Sequence, residues 1–132
     1  MEGKQTLGKA ERICSTKLID AIFNSGAGRS MTAWPVRMVY MPIEPVNGEP
    51  CVQIMVSVSK RFFKHAVDRN RVKRQLREAY RHNKHIITGA FPTVNVNGLA
   101  LVFIWSTGEK KTSQEVEAQM KKLLQRLSEK IQ

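Results

Sequence analysis

The feature that most constrains the fold is a change of hydrophobic period between residues 51 and 84. From Cys51 to Ser59, apolar and polar residues alternate, which is typical of a strand with one buried face. A helical repeat of apolar residues begins between Ala66 and Arg69 and runs to about Lys84. A strand that leads into an amphipathic helix buries its apolar side against a shared core. The segment therefore predicts a protein that mixes strands and helices.

Each of these two elements has an apolar and a polar side. The apolar side of the strand contains Val52, Ile54, Val56 and Val58, and its other side contains Gln53, Met55, Ser57 and Ser59. In the helix, the predicted core stripe consists of Val72, Leu76, Ala79 and Tyr80. The neighbouring arc consists of Arg69, Asn70, Lys73, Arg74, Arg77 and Arg81. The sequence thus predicts a helix that is anchored by one side and presents cations on another.

Positive charge is concentrated in this same region. Residues 60–84 contain ten of the 22 lysines and arginines of the chain and only two of its 11 acids, within a net charge of +11. Such a cluster attracts phosphates, and guanidinium groups donate paired hydrogen bonds to them. A solvated helix face explains any single arginine about equally well. The cluster as a whole favours a nucleic-acid partner.

The rest of the N-terminal half predicts a helix and a strand. Ser15 or Thr16 can cap a short helix that ends after Phe23. We expect a loop from Gly26 to Thr32 with Arg29 exposed, and a strand from Val36 to Met41.

The C-terminal part predicts a loop, a strand and a helix. Residues 86–98 contain turn residues and predict a loop or a small hairpin. Leu99–Trp105 is a continuous apolar run, as expected of a strand covered on both faces. Thr112 and Glu115 form a capping box that opens a last amphipathic helix. The predicted fold class is an α+β sandwich of helices on a small central sheet. Its order is helix, strand, strand, helix, strand, helix, in one domain over residues 1–132 with a folded core at about 9–131.

Several classes of function lack support in the sequence. His65, His82 and His85 have no accompanying cysteine or carboxylate at ligand spacing, so we predict no metal site made by the protein. Paired carboxylates, a nucleophile next to a base, and a glycine-rich phosphate loop are absent, so we predict no catalytic residue. No apolar run approaches 18 residues, and the N-terminus has no signal-peptide pattern. We therefore expect no membrane partner and a cytoplasmic location.

The central motif resembles the signature of the bacterial ribonuclease P protein subunit. The matching stretches are residues 57–61, SVSKR, residues 66–74, AVDRNRVKR, and residues 76–81, LREAYR. In the family, a strand ending in VSKK is followed by a helix with AVxRNRxKRxxRExFR. The resemblance extends more weakly over residues 9–131. It implies a left-handed crossover between the parallel strands at 51–59 and 99–105, although most such crossovers are right-handed.

The resemblance also implies a function, which we state as an expectation. In this family a catalytic RNA removes the 5′ leader of precursor tRNA, and the basic protein assists it. Mg²⁺ serves the RNA-containing holoenzyme, no cofactor is bound by the protein alone, and no protein partner is required. The residues expected to contact the catalytic RNA are Arg69, Asn70, Arg71, Lys73, Arg74, Arg77 and Arg81. Those expected in a cleft for the single-stranded leader are Ile19, Phe23, Tyr40, Met55, Ser57, Ser59, Lys60 and Arg61.

Three residues of this cleft region depart from the family pattern. Ile19 stands where phenylalanine is common, Gln53 where arginine is usual, and Met55 where glycine is usual. We predict that the bulky thioether of Met55 narrows the cleft or changes its preference.

Two other functions stay open at this point. A ribosomal or general RNA-chaperone protein could carry a similar basic helix without any part in tRNA processing. A DNA-binding regulator is less consistent with the sequence, since its recognition helix follows a short helix and turn. Here a strand precedes the basic helix.

Overall fold

The computed structural model describes residues 29–43, 51–88 and 98–131. Within these ranges the strands are β1 (Arg29–Ala33), β2 (Val36–Pro42), β3 (Cys51–Val58) and β4 (Gly98–Trp105). The helices in the same ranges are α1 (Ala66–Asn83), α2 (His85–Thr88) and α3 (Ser113–Ile131). The predicted first helix, with Ile19 and Phe23, lies outside the described residues.

The strands form one mixed sheet in the order β1-β2-β4-β3. The pairs β1–β2 and β2–β4 are antiparallel, whereas β3 and β4 run parallel. Helix α1 lies in the connection between the two parallel strands, as predicted. The α+β class is therefore confirmed, while the left-handed crossover stays a prediction.

Two short elements differ from the sequence prediction. The predicted loop over Gly26–Thr32 is wrong from Arg29 onward, because β1 pairs with β2 from Arg29 opposite Tyr40 to Ala33 opposite Val36. The alternation of Ser30, Met31, Thr32 and Ala33 covers only four residues, too few to distinguish a strand from a loop in the sequence, and an edge strand needs only one hydrogen-bonded neighbour. The start of the predicted loop at 86–98 is also wrong, since α2 occupies its first residues. Ile87 is fully buried there, and this burial accounts for the extra turn.

The main core lies between helices α1 and α3 and one face of the sheet, which we call the helix face. Helix α1 contacts β3, α3 contacts β1 and β2, and the two helices contact each other. The rings of Tyr80 in α1 and Phe103 in β4 lie 5.9 Å apart at their centroids. The predicted apolar stripe of α3 is buried at Val116, Met120, Leu123, Leu124 and Leu127.

We call the opposite side of the sheet the second face, and the strand register shows which residues lie on it. Val39 in β2 pairs with Val102 in β4, and Val102 pairs with Met55 in β3, so these three side chains share that face. Val39, Ala100 and Val102 are buried in a small apolar cluster of their own. The described strand residues on the second face are Ser30, Thr32, Arg37, Val39, Met41, Gln53, Met55, Ser57, Ala100, Val102 and Ile104.

Candidate nucleic-acid interface

Helix α1 separates its apolar and cationic residues around its axis. Val72, Leu76, Ala79 and Tyr80 are 0% exposed, as the helical period predicts. At about 100° per residue, five polar residues occupy an arc of about 100° beside this stripe. This cationic arc consists of Asn70, Lys73, Arg74, Arg77 and Arg81. Asn70, Arg74 and Arg77 are exposed, whereas Lys73 and Arg81 are half-buried.

Contacts with α3 and the loop before it fix the rotation of α1. Gln75 Nε2 donates a hydrogen bond of 2.9 Å to the Lys111 carbonyl oxygen. His82 Nδ1 lies 3.0 Å from Glu117 Oε1 of α3. Gln75 and His82 lie on the side of α1 away from the cationic arc. The contacts that hold the helix therefore leave the cationic arc on the opposite side.

The two acids of the basic segment neutralise little of the arc. Lys110 Nζ lies 2.8 Å from Asp68 Oδ1, and this hydrogen bond lowers the pKa of Asp68. Arg81 donates to Glu78, which lowers the pKa of Glu78 and raises that of Arg81. Among the described residues, no ion pair involves Lys73, Arg74 or Arg77. Arg74 lies near enough to Glu78 to contribute to the lowered pKa of that carboxyl, but no described ion pair occupies any of these three side chains.

Two predicted RNA contacts lie outside the cationic arc. Arg69 Nη1 donates to the carbonyl oxygens of Phe63, at 2.9 Å, and Lys64, at 2.8 Å. Around the helix axis Arg69 falls between Leu76 and Tyr80, on the buried side, so its guanidinium contacts the loop before α1 and not the solvent beside the cationic arc. Arg71 is exposed, but it lies about 60° beyond Arg74, on the side of Glu78 and His82.

The loop that follows β3 presents two further cations. Ser59 Oγ accepts a hydrogen bond of 3.1 Å from the backbone N–H of Arg61, and the Ser59 carbonyl accepts one of 3.1 Å from that of Phe62. Lys60 and Arg61 are exposed. The Arg61 guanidinium carbon lies 5.3 Å from the centre of the Phe62 ring, a cation–π contact. The turn therefore holds positive charge at the C-terminal end of β3.

The structure brings together only part of the predicted leader cleft. Met55 and Ser57 share the second face, as predicted, and both are half-buried. Ser59, Lys60 and Arg61 follow directly after β3. The placement of Tyr40 beside them is wrong. Tyr40 pairs with Leu101, which pairs with Ile54, so its side chain lies on the helix face and is 7% exposed. Strand alternation sends Tyr40 to one side of the sheet and Met55 to the other.

Sequence reasoning missed Arg37 on the second face. Arg37 is exposed and pairs with Ile104, which in turn pairs with Ser57. The signal was present in the sequence, because Arg37 is the one charged residue in the apolar β2 segment.

The described residues add two negative findings. No group of three or more His, Cys, Asp or Glu side chains in them could hold a metal ion. None of the described helices is long and apolar enough to cross a membrane.

The fold and this interface define a small, basic α+β protein with an RNA-binding type of surface. A family model for ribonuclease P matches residues 7–128, and the chain belongs to the ribonuclease P protein family. It is similar to the ribonuclease P protein component of Porphyromonas gingivalis. The two are 34% identical over 122 residues, which cover 92% of this chain and 86% of the relative. The chain is thus a protein subunit of the tRNA-processing endoribonuclease ribonuclease P.

Solved structures agree with this fold. The RNase P protein of Thermotoga maritima superposes with a TM-score of 0.67 at 24% identity, covering 88% of this chain and 96% of that one. A mutant RNase P protein of Staphylococcus aureus superposes with a TM-score of 0.68 at 20% identity, covering 90% and 89%. At these identities the likeness is one of fold.

Proposed function

We propose that the cationic arc of α1 binds the catalytic RNA of ribonuclease P and that the second face binds the precursor-tRNA leader. The observation that carries the proposal is the presence of two different surfaces on one rigid scaffold. Among the described residues, Lys73, Arg74 and Arg77 of the arc form no ion pair. The second face combines buried apolar residues with polar groups, among them Ser57, and these groups can contact the bases and 2′-hydroxyls of an unpaired strand.

The contribution of the protein is binding and orientation. Cations on α1 screen repulsion between RNA phosphates, and a held leader fixes the cleavage point relative to the catalytic RNA. The hydrolysis and the Mg²⁺ ions that it needs belong to the RNA partner in this proposal. If Lys73, Arg74 and Arg77 each meet one phosphate, they contribute about −2 to −3 to the salt slope of binding.

Cleavage of precursor tRNA by the cognate catalytic RNA tests this function. The reaction is run at low Mg²⁺ with and without the purified chain, on a precursor that carries its leader. We expect faster cleavage with the chain, because its cations replace part of the screening that Mg²⁺ otherwise provides.

An equal rate with and without the chain would contradict the proposal and favour a general RNA chaperone. Bovine albumin at the same concentration controls for nonspecific protein effects. Because the assay contains only the chain and the two RNAs, a gain in rate would also show that no other protein is needed.

A further inference from the structure

Arg37 is a cation on a sheet face whose other described strand residues are uncharged. Its neighbours Val36 and Met38 are both 0% exposed on the helix face, so alternation sends Arg37 to the second face. Among the described strand residues of that face, Arg37 is the only lysine or arginine. No ion pair involves it within the part of the chain that the structure describes.

Strand register connects Arg37 with the predicted leader site. Arg37, Ile104 and Ser57 form one row across β2, β4 and β3. Adjacent strands lie about 4.8 Å apart, so the backbones of Arg37 and Ser57 are separated by about 10 Å. A guanidinium on its long side chain covers much of that distance. A strand of RNA lying across this row would touch both residues.

The same end of the sheet also carries Lys60 and Arg61. The first residue of β2, Val36, pairs with Trp105, and Trp105 pairs with Val58 at the end of β3. The start of β2 and the loop after β3 therefore lie at one end of the sheet. Arg37 extends the positive charge of that loop across the sheet toward β1.

The centre of the second face is apolar, polar residues such as Ser30 and Gln53 lie around it, and none of its described strand residues has an aromatic ring. Val39 and Val102 are buried, while Met41, Met55 and Ile104 are partly exposed around them. Aliphatic and thioether side chains can contact bases, but they offer no ring on which a base could stack. Within this part of the site, phosphate contacts must therefore supply much of the affinity.

We propose that Arg37 binds a backbone phosphate of the 5′ leader at the edge of the second face. This inference rests on the proposed leader-binding function and adds a residue that neither the motif nor the basic helix contains. If Arg37 binds a leader phosphate, its effect on affinity depends on leader length. A leader too short to reach the row of Arg37, Ile104 and Ser57 cannot contact Arg37.

Leader length and charge substitution test the inference together. Holoenzyme is assembled with the wild-type chain, Arg37→Gln, Arg37→Lys or the control Lys122→Gln, which removes an exposed charge from α3. Dissociation constants are measured for a precursor with a long leader and for one with a single leader nucleotide. We expect Arg37→Gln to weaken only long-leader binding, by about fivefold, as for one exposed ionic contact. Its salt slope on that substrate should fall by about 0.7.

The controls separate this inference from the proposed function. Arg37→Lys should retain most of the affinity, and Lys122→Gln should match the wild type on both substrates. If the wild type prefers the long leader and Arg37→Gln does so equally, the inference is overturned and leader binding stands. Equal weakening on both substrates would also overturn it, by placing Arg37 in the fold or against the catalytic RNA. A wild type without leader preference would contradict the proposed function itself.

Discussion

At the residue scale, single side chains tie the loops at the C-terminal ends of β3 and β4 to the start of α1. Arg69 donates to two carbonyl oxygens of the loop before α1, and Asp68 accepts from Lys110 of the loop after β4. His65, the residue before α1, makes no side-chain capping bond. Arg69 and Asp68 therefore stabilise a helix start that lacks an ordinary cap.

The Asp68–Lys110 pair predicts a pH-dependent contribution to stability. Its hydrogen bond holds the pKa of Asp68 below the ordinary value of 3.8, so the contribution is present above that pH and is lost as the pH falls through the lowered pKa. Asp68→Asn should therefore lower the melting temperature at about pH 7, and its difference from the wild type should shrink as the pH falls below 3.8. Glu129→Gln, at an exposed acid of α3, is the control; an equal loss above and below pH 3.8 would contradict the prediction.

Tyr40 shows that a functional role cannot be assigned to a strand residue until the pairing register of the strand is known. The sequence places an aromatic at a suitable position of β2, but only the pairing with Leu101 tells which side of the sheet it occupies. Arg37, three residues earlier, lies on the opposite side of the sheet, and its place beside Ser57 also becomes clear only from the register. A one-residue offset exchanges the two faces of a strand.

Replacement of Tyr40 should act on stability and leave leader binding intact. Because the ring is 7% exposed in the main core, Tyr40→Ala should cost about 3–5 kcal/mol of unfolding free energy. Tyr40→Phe keeps the ring and should bind long and short leaders as the wild type does. Urea unfolding and leader-length binding check the two variants. A selective loss of long-leader binding in Tyr40→Phe would place the hydroxyl in the leader site after all.

At the element scale, neighbouring residues of α1 differ in burial, and therefore in whether they act on stability or on binding. Leu76 is fully buried, whereas Arg77, the next residue, is exposed in the cationic arc. Leu76→Ala should cost about 2–5 kcal/mol of stability, and Arg77→Ala about 0.5 kcal/mol or less. Urea denaturation measures both. Similar losses in the two variants would mean that the assignment of helix sides is wrong.

The start of α3 is a predicted capping box that the structure confirms. Thr112 N donates to Glu115 Oε2 at 3.1 Å, and Glu115 N donates to Thr112 Oγ1 at 3.2 Å. Thr112→Ala should therefore cost about 1 kcal/mol, measured by urea unfolding, while Thr112→Ser should cost less because its hydroxyl still accepts. An unchanged midpoint in Thr112→Ala would show that the box contributes nothing here.

Elements with a strong periodic pattern could be predicted from the sequence, and those that depend on a neighbour could not. Strand β3, α1 and α3 have clear periods, and their observed bounds lie close to the predicted ones. Strand β1 has the sequence Arg-Ser-Met-Thr-Ala, whose alternation is too short to indicate a strand by itself, and pairing with β2 stabilises it. Helix α2 depends on the burial of Ile87, which no local pattern of four residues reveals.

At the scale of the whole molecule, charge and core occupy separate regions. The described core contains no buried charged residue, and the cationic arc lies mostly on the side of α1 away from α3, with Arg74 at its edge nearest α3. The sheet gives α1 a rigid support, so cations that would spread apart in a flexible chain keep fixed spacings. In the proposed function, this separation lets the cations contact RNA phosphates without removing any side chain from the core.

The salt dependence of binding to the catalytic RNA tests this account most directly. The variant Arg74→Gln with Arg77→Gln removes two exposed cations of the arc, and Lys122→Gln with Lys130→Gln removes two exposed cations of α3. The slope of log K against log salt is measured for both variants and the wild type. We expect the arc variant to lower the magnitude of the slope by about 1.5–2 and the α3 variant to leave it unchanged. Equal slopes for the two double variants would contradict the claim that the cationic arc is the RNA-binding surface.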